Sequence, residues 1–129
     1  MRDFLNEEKG NDYFVYSLYI IAQSHIFHWL TENGQEHESI GEFYTILEEE
    51  VDNLAERYIG KHGIELFNYP CNLDFSYSKD KLINLINNYN SKTNDMIKSL
   101  DPIDDASIVD SCVDVKELID KLIYKLRLA

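Results

Sequence analysis

The chain has 129 residues, 44% of them hydrophobic, with five glycines, two prolines and two cysteines. That length supports one domain with its own core, and so little Gly and Pro leaves little room for a turn-rich β fold. A net charge of −12 speaks against a nucleic-acid binder, because phosphate recognition needs clustered Lys and Arg.

The start of the chain, Met1 to Glu8, is acidic where a secretory leader would be apolar. No stretch approaches the ~18 apolar residues of a membrane span. The most apolar region, 13–30, contains Ser17, Gln23, Ser24, His25 and His28. Cys71 and Cys112 lack metal or redox spacing, so two reduced thiols in a cytoplasmic protein are expected.

The first helix is expected over 11–31. Phe14, Leu18, Ile21, His25 and His28 recur at spacings of three and four, and Tyr13, Val15, Tyr16, Tyr19, Ile20 and Phe27 make its other faces apolar too. A helix apolar on several sides is buried by neighbours or by another subunit. Asn33-Gly34 reads as its stop, a pair suited to a left-handed C-cap. A second helix follows from about 35–38 to 61, with Ile40, Phe43, Leu47, Val51, Leu54 and Tyr58 on a bundle-helix pattern. So short a link makes the two helices antiparallel neighbours.

Residues 63–76 form the longest irregular stretch. Phe67, Tyr69, Leu73, Phe75 and Tyr77 make this region aromatic, and Pro70 forbids a regular helix through it. These side chains are expected to pack. Ser76 or Ser78 is expected to cap a third helix at 79–100. Its middle, Asn87-Asn88-Tyr89-Asn90-Ser91, is poor helix material where fraying or a kink is anticipated. Asp101-Pro102 ends it. Ser107 reads as the cap of a fourth helix, whose Ile108, Cys112, Val115, Ile119, Leu122 and Leu126 form a heptad-like seam. The expectation is an all-α four-helix bundle, one domain over 1–129, with a long aromatic connection between the second and third helices.

Four residues carry the candidate chemistry: His28, His37, Asp52 and Glu56. Asp52 and Glu56 are four apart and share one side of the second helix. Imidazole and carboxylate together suit Fe(II), Zn(II) or Mn(II). Fifteen residues separate His37 from Asp52, roughly 22 Å of helix. One ion cannot touch both within a chain, so a shared metal requires two chains with these helices antiparallel. Each residue also has a plainer reading. His28 can be a hydrogen-bonded core histidine, His37 an exposed helix-start residue, and Asp52 with Glu56 a solvated acidic face. His25 reads as packing, Trp29 and Tyr44 as core or interface aromatics, and His62 has no assigned role.

The segment 28–57 resembles the Dps-type mini-ferritins. The residues that carry the resemblance are His28-Trp29, then His37, then Val51-Asp52-Asn53-Leu54-Ala55-Glu56-Arg57. The resemblance implies a ferritin-like bundle and an inter-subunit ferroxidase site, with iron held by His28 and His37 of one chain and Asp52 and Glu56 of another. Zinc and manganese are the related ions. It also implies a homodimer or larger homo-oligomer. The chain departs from the family in three ways. The spacing from His28 to His37 is shorter, the basic DNA-binding tail is missing, and less chain follows the second helix. A dimer is therefore expected rather than a closed shell. The compact layout, with abundant Asn, Lys, Ile and Tyr, is similar to that of phage-encoded ferritin-like proteins. The alternative is a non-enzymatic helical interaction protein that has lost metal chemistry and binds a protein partner.

Overall fold

The computed structural model describes residues 4–64 and 71–129, with side chains from residue 12 onward. Phe67, Tyr69 and Pro70 of the expected aromatic connection lie outside the described residues. The helices are α1 (Phe4–Leu30), α2 (Gly34–His62), α3 (Lys79–Ser99) and α4 (Ala106–Leu128), and no strand occurs among the described residues. None of these helices is long and apolar enough to cross a membrane.

The helices form a ring. α1 packs on α2 and α3, and α4 packs on the same two. Contacts at the ends fix the directions. Tyr77, just before α3, donates to Glu36 in the first turn of α2 at 2.9 Å. Lys79 at the start of α3 donates to the Ala129 carbonyl at 2.8 Å. At the other end, His62 of α2 meets Asp105, just before α4, at 2.7 Å. α2 and α3 therefore run one way, and α1 and α4 the other. The end of α2 and the start of α3 thus lie at opposite ends of the bundle.

The described part of the α2–α3 connection lies along α1. Tyr19 donates to the Asn72 carbonyl, Gln23 donates to the Asp74 carbonyl at 2.8 Å and accepts from the Asp74 N–H at 2.6 Å, and the Tyr77 ring lies 5.2 Å from Phe27. A buried amide thus satisfies both backbone groups of one loop residue. Tyr77 packs as expected, but Leu73 and Phe75 are exposed.

A cluster of hydroxyls sits in the core between α1 and α3. Tyr89 donates to Ser17 at 2.8 Å, Tyr13 donates to Tyr89 at 3.3 Å, and Tyr13 shares a hydrogen bond with Thr93 at 3.0 Å. These hydroxyls join α1 to α3 where buried groups need partners. Burial pushes the Tyr13 phenol up to about 12 and the Cys112 thiol likewise to about 12, so Cys112 is an unreactive core residue at neutral pH.

Three local expectations are corrected. Asn33-Gly34 is not a left-handed stop. Asn33 is the N-cap of α2 at φ −93°, and its side-chain oxygen accepts from the Glu36 N–H at 3.0 Å. Satisfying an orphan helix donor is what an Asn in this position does best. The left-handed end comes at Gly63, φ 70°, whose N–H donates to the Ile59 carbonyl at 2.9 Å. α3 runs unbroken through 87–91 because Tyr89 is wholly buried and anchors it. Ser78 caps α3, accepting from the Lys81 N–H at 3.1 Å. Ser107 does not cap α4. The N-cap is Asp105, and its side chain makes no cap bond because it is turned to other partners.

Those partners join α2 to the α3–α4 turn. Asp105 accepts from the Asp101 N–H at 2.9 Å, Lys61 at 2.9 Å and His62 Nε2 at 2.7 Å. Lys61 also donates to the Asp104 carbonyl. Burial pushes the Asp105 carboxyl up, but these donors outweigh it and hold the group down to about 2. A depressed carboxylate stabilises the fold above its unfolded pKa of ~3.9, and that contribution fades as pH falls through the folded value. Asp105→Asn is expected to lose about 1.5–3 kcal/mol at neutral pH, the range for hydrogen bonds to a charged group. Urea denaturation across pH checks this, with the gap between variant and wild type expected to close as pH falls toward 2. A gap that stays constant contradicts it.

Candidate functional site

Only residues 31–33 separate α1 from α2, and two imidazoles hold this turn. His28 Nδ1 donates to the His37 carbonyl at 2.7 Å, and His37 Nδ1 donates to the His28 carbonyl at 2.8 Å. A carbonyl oxygen only accepts, so each neutral ring carries its proton on Nδ1. The rings stack with centroids 3.8 Å apart and 17° between planes. Each Nε2 is left with a free lone pair and no hydrogen bond among the described residues. This tautomer, fixed by a carbonyl behind the ring, is the one a histidine needs to ligate a metal through Nε2.

Gly41 makes room for the pair. A Cβ there would lie 2.8 Å from His28 Cε1, so any side chain at 41 displaces the imidazole. His25, one turn back on α1, stacks on Tyr44 of α2 at 4.3 Å and meets Trp29 at 4.6 Å. His25 is a packing residue, as expected. Trp29 is 68% exposed, contrary to any core reading of it.

The carboxylates lie elsewhere. Asp52 and Glu56 are both exposed on α2 and have no ion pair or hydrogen bond among the described residues. The structure brings His28 and His37 together and leaves Asp52 and Glu56 apart from them, about four helical turns away. Among the described residues no three His, Cys, Asp or Glu side chains converge to hold a metal ion.

Between the imidazoles and the far end of α2 runs an apolar groove of about 680 Å³. Val15, Leu18 and Ile21 of α1, Ala55 and Ile59 of α2, and Ile64 line it. Glu48, Glu49 and Asp52 border it, and no residue of α3 or α4 takes part. Among the described residues the groove is therefore built by α1, α2 and Ile64.

Sequence reasoning missed four positioning residues. Gly41 gave no signal, since a helical glycine is explained only by what packs on it. Glu36 is 5% exposed and accepts from Tyr77 at 2.9 Å and Thr31 at 3.2 Å. The spacing Asn33-x-x-Glu36 is a capping-box pattern and could have marked it. Arg57 donates to Ser111 of α4 at 2.6 Å, a tie between helices. His62, given no role, is part of the Asp105 cluster.

Residues 28–126 match a family described as a family of unknown function, DUF5856. The chain belongs to that family. The match takes in all four candidate ligands and the whole of α2 and α3. No curated protein and no solved structure matches the chain. The DUF5856 description carries no activity, and the candidate site in this member of the family is defined by its geometry.

Replacing Gly by Ala in a helix interior normally stabilises by about 0.5–1 kcal/mol. Gly41→Ala is expected to lose that gain in the wild type because His28 must leave its carbonyl. In a His28→Ala background the same change should show the full gain. Thermal or urea denaturation of the four proteins checks this. Equal effects of Gly41→Ala in both backgrounds would mean that His28 does not occupy the space.

Proposed function

We propose that this DUF5856 chain is a ferritin-like, metal-binding homodimer. His28 and His37 of one chain and Asp52 and Glu56 of the other hold iron, with zinc and manganese as related ions. The observation that carries the reading is the imidazole pair, with both Nδ1 atoms committed to carbonyls and both Nε2 atoms available. Such nitrogens, joined by carboxylates, make a donor set for a borderline divalent cation. Two imidazoles alone are too few, and no third donor lies close by in the same chain among the described residues. Antiparallel pairing of two copies would bring each imidazole pair to the partner's carboxylates and build the site twice.

The chain path supports the same reading. One long crossover between α2 and α3 is the connectivity of ferritin-like bundles. Iron is the substrate in a ferroxidase reading. Each Fe(II) yields one electron to dioxygen or peroxide, and the reduced oxygen takes up protons. The two free cysteines suit a reducing cytoplasm, that of a host cell if the chain is phage-encoded. A second reading, a non-enzymatic interaction bundle, draws on the apolar groove and on Trp29, and it predicts no metal binding.

Anaerobic Fe(II) titration and Zn(II) calorimetry separate the two. Asp52→Ala or Glu56→Ala is expected to weaken binding by more than the ~10- to 100-fold typical of losing an outer-shell partner, with helix content unchanged. Mixing His28→Ala/His37→Ala protein with Asp52→Ala/Glu56→Ala protein should restore one intact site per heterodimer. Wild type that binds no metal, or carboxylate variants with unchanged isotherms, would leave the interaction reading.

A further inference from the structure

We infer that Trp29 is the anchor by which each chain docks into the α1/α2 groove of a second copy. This deepens the dimer proposed above and rests on it. Trp29 is the only tryptophan in the chain and is 68% exposed. Leu18, Ile21, His25 and Trp29 follow one another at spacings of three and four, so they form one stripe along α1. One end of that stripe is an aromatic knob. The other end borders an apolar groove of about 680 Å³.

The two halves are exchanged by a two-fold axis. His25 stacks on Tyr44 at 4.3 Å, which marks a common level on α1 and α2. An axis crossing the face at that level, perpendicular to the helices, sets His37 opposite the partner's Asp52. It also sets Trp29 within about one helical turn of the partner's Ile21 and Glu48, at the near end of the groove. An isologous contact must be complementary to itself. A knob on one half and a hole on the other meet that requirement.

Avoided carboxylate repulsion selects the same arrangement. Glu48, Glu49 and Asp52 border the groove, whereas His25 and His28 share the Trp29 end with stacked His37. Antiparallel docking sets carboxylates against imidazoles. Parallel docking would set carboxylates against carboxylates in a chain of net charge −12. Interface hot spots are enriched in tryptophans seated in dry pockets of this kind.

The test uses metal-free protein held in chelator, so that docking is read apart from metal. Sedimentation and tryptophan emission are followed through a dilution series. The expected result is a dimer whose emission shifts to longer wavelength as it dissociates, because Trp29 passes from groove to water. Trp29→Ala is expected to weaken the dimer by more than about tenfold. Leu18→Glu, at a position 60% exposed, should do the same from the groove side, and circular dichroism confirms that both variants fold. A dimer whose Trp29 stays water-exposed, or a Trp29→Ala dimer as tight as wild type, overturns the anchor while leaving some other dimer possible. A protein monomeric at every concentration overturns both the anchor and the inter-chain site. A dimer with Trp29 buried that takes up no metal supports the anchor and sinks the metal reading.

Discussion

Two imidazole-to-carbonyl hydrogen bonds hold the end of α1 to the start of α2, and the chemistry of the site follows from them. Each bond runs from one helix to the other, so neither ring can turn without releasing a backbone carbonyl. Both bonds are open to solvent, and the His37 carbonyl inside α2 also accepts from the Gly41 N–H of its own helix, so what rotation gives up is the direct tie between the two helices. The tautomer is therefore a property of the backbone path and not of the histidines alone. Asn33 capping α2 and Glu36 receiving Thr31 and Tyr77 reinforce the same corner. One short turn thus fixes the antiparallel helix pair, seats the incoming α3 and sets the direction of two ring nitrogens.

The opposite end is held by charge. Asp105 gathers Lys61, His62 and the Asp101 N–H, and so ties the end of α2 to the turn before α4. Between these two ends, Gln23 holds the last part of the α2–α3 connection against α1 by reading Asp74 in both directions. α3 and α4 then cover one side of α1 and α2. The other side keeps its imidazoles, its groove and its exposed Trp29 in one continuous strip. That strip is where the functional readings converge, because it combines metal-type donors at one end with carboxylates at the other.

Much of this was legible in the residues. The periodicity of Ile40, Phe43, Leu47, Val51 and Leu54, and of Ile108, Cys112, Val115 and Ile119, placed α2 and α4 with their buried faces, because a bundle core imposes that spacing. Helix arithmetic also showed that His37 and Asp52 cannot meet within one chain. The errors were local. Asn33 acts through its side chain rather than through a left-handed backbone, and Asp105 is drawn away from capping by His62, a partner distant in sequence. The Asn-rich middle of α3 stays helical because burial of Tyr89 outweighs propensity. The reciprocal His28–His37 bonds and the need for Gly41 depend on how two helices abut. No spacing rule carries that information. The exposure of Trp29 was hidden for a related reason: an apolar residue on a helix looks the same whether its neighbour is its own bundle or another copy.

Native mass spectrometry of protein loaded anaerobically with Fe(II) tests the central claim most directly, because it reads assembly and metal content on the same ion. The account predicts that bound iron travels with the dimer, in sites that come in symmetric pairs, and that monomers released by gentle activation carry none. Iron retained on monomers, or dimers that remain iron-free after loading, would contradict it.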